Sequence, residues 1–306
     1  MMVEGRVVYL GGRYCPWDEA NVPIMSHSFA RGSAIFEVIA FTDTPAGPAV
    51  FRLDEHCARF FGSACLLGME PPLTPAELHE AVLETVRRSG LAAGLIKVFG
   101  FYPEVSSGVL PPGQRFQVAV FVFAPDEPPG GNGGRAGGSA TACVSTWRRL
   151  DPQTVPVEAK VAANYINGMV ARAEARKRGF DMAVLLDTQG FLAEGATESL
   201  FLVRGGRLLT PSLGTVLQSI TRKSLLAVAE AMGIETVTGR LSPVLLEDAE
   251  ELFLSSTSAR VLPIRQIDGR RLAGVPGAVT SRLANGIAAI ASGRDERFRG
   301  WLFPTV

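Results

Sequence analysis

Short apolar runs separated by turn-forming residues dominate the first part of the chain. Residues 6–10, 34–41 and 49–52 read as strands, whereas 54–67 and 74–89 carry apolar residues at the spacing of an amphipathic helix. The second helix has both ends marked. Thr74-Pro-Ala-Glu77 joins an N-cap threonine, a first-turn proline and a capping-box glutamate, and Gly90 follows the last turn. A strand-like run at 117–123 leads into Pro125-Asp-Glu-Pro-Pro-Gly-Gly-Asn-Gly-Gly-Arg-Ala-Gly-Gly, whose glycines and prolines cannot support a regular element.

The pattern resumes with a strand at 140–147 and a helix at 164–178 that ends at Gly179. Strands follow at 182–187 and 199–203, joined by turns, and then a helix at 221–232 closed by Gly233. The apolar run 252–255 precedes the polar turn Ser256-Thr257-Ser258, and a last helix covers about 275–292. The chain shows no internal repeat. These elements predict a two-domain α+β protein: a small domain at 1–124, a Gly/Pro-rich linker at 125–139 and a larger domain at 140–306. A chain of 306 residues is long enough for two ordinary cores with a binding cleft between them.

Composition narrows the function classes. Formal net charge is zero and the basic residues form no run, so nothing in the electrostatics favours nucleic acid or an anionic membrane. A small-molecule ligand is the better expectation. The first 14 residues carry Glu4, Arg6 and Arg13 without a continuous apolar stretch, unlike a secretory signal, and no apolar run is long enough to span a bilayer. Cys15, Cys57, Cys65 and Cys143 are irregularly spaced with no CxxC pair, which argues against a zinc site and a disulfide framework. The expectation is a cytoplasmic protein with reduced thiols and no metal.

Lysine is scarce: four residues, against 26 arginines among the 30 basic side chains. One of the four opens Lys160-Val-Ala-Ala-Asn164-Tyr165, and Glu194-Gly-Ala-Thr-Glu198-Ser lies downstream. An amine able to form a Schiff base, a phenol for a ring oxygen and a carboxylate for a pyridine nitrogen are what pyridoxal phosphate chemistry requires. Lys177 and Lys223 fall on solvated helical faces, which leaves Lys97 as the rival to Lys160. The turn into Ser219-Ile220-Thr221 opens a helix, whose free N–H groups favour an anion such as a phosphate; an ordinary N-cap is the structural alternative.

Four stretches, in this order, resemble the class IV aminotransferases, the fold-type IV (D-amino acid aminotransferase-like) pyridoxal phosphate enzymes. They are Pro16-Trp-Asp-Glu-Ala, Met25-Ser-His-Ser-Phe-Ala-Arg-Gly-Ser-Ala-Ile-Phe36-Glu, Trp147-Arg-Arg-Leu-Asp with the run to Lys160, and Ser219-Ile-Thr221-Arg. The resemblance covers nearly the whole chain and is greatest to the branched-chain group. It implies Lys160 as Schiff-base lysine and proton carrier, Glu194 (with Glu198 as alternative) at the ring nitrogen, and Tyr165 at the ring oxygen. It implies Arg59, Ser219, Ile220, Thr221 and Thr257 around the phosphate, and a homodimer. Arg31, Phe36, Lys97, Thr257 and Ser258 are the candidates for binding an amino acid and a 2-oxo acid. His27 and His56 are expected to be structural.

The departures lie on the substrate side. Branched-chain enzymes read Phe-Glu-Gly-Ile-Arg where this chain has Phe36-Glu37-Val38-Ile39-Ala40; Arg31 replaces a tyrosine; and Leu95-Ile96-Lys97-Val98 replaces Tyr-Ile-Arg-Pro. A branched-chain aminotransferase is the leading expectation. A D-amino acid aminotransferase, an aminodeoxychorismate lyase-type enzyme and a soluble α/β binding protein stand as alternatives.

Overall fold

The computed structural model describes residues 6–111, 113, 115–124 and 138–305. Within them the chain forms two compact units, one from 6–124, 159–163 and 289–305, the other from 138–158 and 164–288. The boundaries drawn from the sequence differ: 159–163 and the C-terminal segment, assigned there to the second domain, belong with the first unit. Most of the expected linker lies outside the described residues.

In the first unit, β1 (Val7–Leu10), β2 (Arg13–Pro16), α1 (His27–Arg31), β3 (Ile35–Thr44), β4 (Gly47–Phe51), α2 (Leu53–Leu66), α3 (Pro75–Ser89), β5 (Gly94–Phe101) and β6 (Gln117–Phe123) follow in order. The strands pair antiparallel in the order β4-β3-β5-β6-β1-β2, and the terminal strand Leu302–Pro304 covers the outer edge of β4. Alternation along β3 decides what faces the helices. Ile35, Ile39 and Phe41 pack with Leu53, Cys57 and Phe60 of α2 and with Leu78, Val82 and Val86 of α3. Glu37 shares that parity and is 1 % exposed. The expected capping box on α3 forms: the Thr74 hydroxyl accepts from the Glu77 N–H and the Glu77 carboxylate from the Thr74 N–H, and Gly90 ends the helix left-handed at φ 66°.

The second unit runs β7 (Ala140–Arg148), α4 (Tyr165–Lys177), β8 (Met182–Leu186), β9 (Leu192–Gly195), β10 (Ser199–Arg204), β11 (Arg207–Pro211), α5 (Ile220–Ala231), β12 (Thr236–Gly239), α6 (Leu245–Asp248), β13 (Glu251–Ser255), β14 (Leu262–Ile267), β15 (Arg270–Arg271) and α7 (Ala278–Ala291). Its sheet order is β12-β11-β10-β13-β14-β7-β8-β9, and a pairing of Glu194 with Ser199 joins β9 back to β10. Six strands thereby close into a ring. Leu192, Leu200, Leu202, Leu252, Leu254 and Ile264 belong to one core cluster. Ala171 and Ala175 of α4 pack with Cys143, Ala183 and Leu185 in another. Central β8 is buried on both faces, which is why Met182-Ala-Val-Leu-Leu reads as an unbroken apolar run.

The last helix begins at Ala278, three residues later than the sequence pattern suggested. Among the described residues, eight strands, β2, β5, β9, β11, β12, β14, β15 and the terminal strand Leu302–Pro304, stand where the sequence reading drew no separate element. All four cysteines are free thiols. No helix among the described residues is long and apolar enough to cross a membrane.

Candidate active site

Lys160 lies in the segment that the first unit draws in from the middle of the chain. The segment lengthens the sheet locally. Phe36 N–H donates to the Lys160 carbonyl at 3.0 Å, Ala162 N–H donates to the Ala34 carbonyl at 2.8 Å, and Ile35 bridges Val161. The Lys160 N–H donates to Ser63 Oγ of α2 at 3.0 Å. These bonds use the backbone, so the side chain's position is set without constraining its chemistry. Its Nζ stands 4.8 Å from the Phe36 ring centroid.

Lys97 approaches the same ring at 5.3 Å and the Phe99 ring at 4.6 Å. It belongs to the sheet face opposite Glu37, because Val38 is its cross-strand partner and Phe36 pairs with Phe99. Burial pushes the Lys97 ammonium below its ordinary value, and the neighbouring Lys160 charge pushes it the same way. Three of the sequence candidates, Lys160, Phe36 and Lys97, are thus brought together.

Arg59 is engaged with a residue the sequence reading did not single out. Its Nε and Nη2 donate to the two carboxylate oxygens of Glu37 at 2.7 and 2.6 Å, and His56 Nδ1 lies 2.7 Å from Glu37 Oε2. Burial alone would raise the Glu37 pKa; the Arg59 charge and the hydrogen bonds from Arg59 and His56 outweigh it and hold the carboxyl at about 2. Burial holds His56 below its usual value against the pull of Glu37. His27 is structural, its Nδ1 2.8 Å from Ser33 Oγ and its Nε2 2.9 Å from the Val109 carbonyl.

Arg31 departs from its expected use. Its Nε and Nη2 donate to the carbonyls of Gly108 and Ser107 at 3.1 and 2.7 Å, at an exposed position ending α1. The two parallel donors that would grip a carboxylate hold the backbone of this loop instead.

In the second unit Glu194 is buried on β9 and makes an ion pair with Arg149, Nε to Oε1. Arg149 Nη1 also donates to Asn167 Oδ1 at 3.1 Å, and Asn167 Nδ2 donates to the Arg148 carbonyl at 2.9 Å. Glu198, the alternative in the motif, is differently occupied. It accepts from Arg172 at 2.7 Å and from the Thr197 N–H and hydroxyl at 3.0 and 2.9 Å, a structural anchor for the 195–198 turn. Tyr165 opens α4. Gly168, one turn on, lies against the backbone of Ala196, where a Cβ would overlap the carbonyl oxygen. Only glycine lets the helix carrying Tyr165 approach the turn that follows Glu194.

Ser219 caps α5, its hydroxyl accepting from the Arg222 N–H at 3.2 Å, and the first intrahelical bond runs from Lys223 N–H to the Ser219 carbonyl. The N–H groups of Ile220 and Thr221 therefore lie in the turn that no intrahelical bond uses, at the positive end of a 12-residue helix. Thr257 and Ser258 lie in the turn after β13, where Ser256 Oγ contacts Ser258 Oγ at 3.3 Å. Ser255 Oγ, at the end of that strand, is buried without a hydrogen-bond partner among the described residues.

Glu37 and Arg149 are the site-related residues that the sequence reading passed over. A charge inside the apolar run 34–41 was a signal for the first; two adjacent arginines in the 147–150 motif offered none for the second.

Residues 34–267 match the family described as Amino-transferase class IV. The branched-chain-amino-acid aminotransferase of Salmonella typhimurium is 34 % identical over 97 % of this chain and 96 % of that protein, and the one of Pseudomonas aeruginosa is 31 % identical over 96 % of each. Among solved structures, the branched-chain amino acid aminotransferase of Escherichia coli superposes with a TM-score of 0.93 at 34 % identity, covering 98 % of this chain and 99 % of that one. The Thermobaculum terrenum enzyme in its PLP-form gives 0.90 and 28 %, covering 99 % of each. A family match across most of the sequence, with a third of the residues identical over nearly its full length and the same fold, means that this chain belongs to the class IV aminotransferases.

Proposed function

We propose that the chain is a pyridoxal phosphate-dependent aminotransferase that moves an amino group between a branched-chain amino acid and a 2-oxo acid. The observation that carries the reading is Lys160, a partly buried amine anchored through its backbone and lying beside Phe36. The residues suit the cofactor: an amine for its aldehyde, a helix N-terminus for its phosphate and a buried carboxylate for its ring nitrogen. When bound, pyridoxal phosphate supplies a ring that accepts the electron pair left when the substrate Cα–H bond breaks.

In this reading Lys160 Nζ would hold the cofactor at its aldehyde carbon and, where the substrate amine takes its place there, would be the free amine that takes and returns the substrate Cα proton. Glu194, kept in place by Arg149, would be the carboxylate for the ring nitrogen and would favour its protonated form. Tyr165 would donate to the ring oxygen. The resemblance assigns the phosphate to the N–H groups of Ile220 and Thr221 and the hydroxyls of Ser219, Thr221 and Thr257, and also to the guanidinium of Arg59. Phe36 offers an apolar wall for a branched side chain. Lys97, Thr257 and Ser258 serve the carboxylates of donor and acceptor.

A homodimer belongs to the same proposal. Ile24, Met25, Phe29, Val105, Val109 and Leu110 are exposed in the first unit, Phe29 by 72 % and Val109 by 81 %. The segments carrying them are tied together by a Ser26–Val105 bridge and by the Arg31 clamp, so they form a built apolar surface of the kind a second copy covers.

The test is a donor and acceptor screen on purified protein supplied with pyridoxal phosphate. L-leucine, L-isoleucine and L-valine with 2-oxoglutarate should give the highest kcat/KM. Activity confined to D-amino acids, or pyruvate released from aminodeoxychorismate without an acceptor, would replace this reading.

A further inference from the structure

Glu37 stands where the fold calls for an apolar side chain. It shares the parity of Ile35, Ile39 and Phe41, which fill the core beneath α2 and α3. A buried ion pair seldom adds stability over apolar packing of the same volume, because removing both charges from water costs about as much as their attraction returns. What the pair does provide is geometry. A carboxylate that takes Nε and Nη2 of one arginine in two parallel bonds fixes the plane and direction of the guanidinium, which a single contact would leave free to turn.

The same few residues also tie Arg59 to Lys160. His56, Arg59 and Ser63 are spaced by three and four residues along α2, so they lie along one face of the helix. Glu37 grips that face at His56 and Arg59, while Ser63 receives the Lys160 N–H. On β3, Phe36 donates its N–H to the Lys160 carbonyl and Glu37 is the next residue. Two adjacent residues of a strand and one face of a helix thus set where Arg59 sits relative to the Lys160 backbone.

We propose that Glu37 is a positioning residue that holds Arg59 for the phosphate of the cofactor. This rests on the reading of Arg59 as a phosphate ligand given above. Glu37 stays ionised throughout the working pH range and does not itself touch the cofactor; an anion there would repel a phosphate unless a cation stood between them. Arg59 is that cation.

The experiment uses the full chain stripped of cofactor and titrated with pyridoxal phosphate and, separately, with pyridoxal, which has the aldehyde and no phosphate. Binding is followed by visible absorbance for the parent, Glu37→Gln, Arg59→Met and the double variant. Glu37→Gln should weaken pyridoxal phosphate by about tenfold to a hundredfold, the usual loss when the group supporting a ligating residue is removed. Pyridoxal should change by less than about twofold, and Glu37→Gln should add nothing to the loss of phosphate preference in the Arg59→Met background. Equal losses for both ligands, or a loss of preference that persists without Arg59, would overturn the inference and leave Glu37 a structural residue. Unchanged binding in Glu37→Gln while Arg59→Met loses its preference overturns the inference alone. An Arg59→Met protein with full phosphate preference overturns the reading of Arg59 and the inference with it. If Glu37→Gln does not fold, Glu37→Asp keeps the charge on a shorter stem; it should show a smaller loss still confined to pyridoxal phosphate, and equal losses there would also overturn the proposal.

Discussion

Replacing Glu194 by Gln separates the structural from the functional use of one carboxylate. The side chains of Glu194 and Arg149 are 11 % and 10 % exposed and in contact, with Asn167 as a neutral neighbour of the guanidinium. Removing the negative charge leaves Arg149 buried beside neutral acceptors, and breaking such a pair from one side costs about 3–5 kcal/mol of stability. Gln keeps an oxygen acceptor, so the lower end of that range applies. Arg149→Met strands the carboxylate and should cost a similar amount. The double variant removes both charges and should recover about 2–3 kcal/mol of the summed loss, which is the coupling expected for groups in contact. Turnover should behave differently. If Glu194 faces the ring nitrogen, Glu194→Gln loses about two to four orders of magnitude in kcat, the scale seen when a key electrostatic partner of the transition state is removed, and adding Arg149→Met restores none of it. Urea unfolding gives the stabilities, and turnover at saturating donor and acceptor, below each variant's unfolding temperature, gives the rates. Turnover that returns together with stability in the double variant would show that Glu194 acts only through the fold, and an unchanged kcat in Glu194→Gln would remove it from the ring nitrogen.

Lys160→Ala should abolish both transamination and the visible band of bound cofactor while circular dichroism stays native, because Ser63 and Phe36 bind its backbone; retained colour and activity would move the reactive amine to Lys97. Glu37, held at about 2 in the folded protein against 4.5 in the unfolded chain, stabilises the fold fully above pH 4.5 and loses that contribution as pH falls towards 2. A few kcal/mol, roughly, is at stake, and the stability gap between parent and Glu37→Gln should narrow as pH falls from 7 to 4; a gap that widens on acidification contradicts the assignment. Gly168→Ala should destabilise by about 1–3 kcal/mol or more, since its Cβ meets the Ala196 backbone instead of a movable side chain; a neutral effect in thermal unfolding would deny the close approach. Arg31→Ala should speed proteolytic cleavage near Ser107 and leave the Michaelis constants for amino acid and 2-oxo acid unchanged; raised Michaelis constants with cofactor affinity intact would return Arg31 to substrate binding.

Much of this protein was legible in its sequence because the signals are local. The capping box at Thr74, the amphipathic spacing of 54–67 and the glycines after the helices act within a turn or two of chain, so the same residues specify them in any context. The scarcity of lysine and the order of four motifs were enough to predict the family and its cofactor chemistry. Strands such as β9, β11, β12 and β14 were not legible, because a strand of four to six residues is defined by its neighbours, and β9 lies where the ring of strands closes. The return of 159–163 and of the C-terminal segment to the first unit is likewise a long-range pairing that no local pattern encodes. Side-chain partnership was the other thing left to tertiary structure. Glu194 and Glu198 are two glutamates of one motif, and only the positions of Arg149, Arg172 and Thr197 distinguish them. The sequence reading assigned Arg59 to a phosphate and Arg31 to a substrate carboxylate, yet one meets a buried carboxylate 22 residues away and the other two carbonyls more than 70 away. An arginine's residue type fixes its charge and its fork of donors, but folding alone brings up the acceptor.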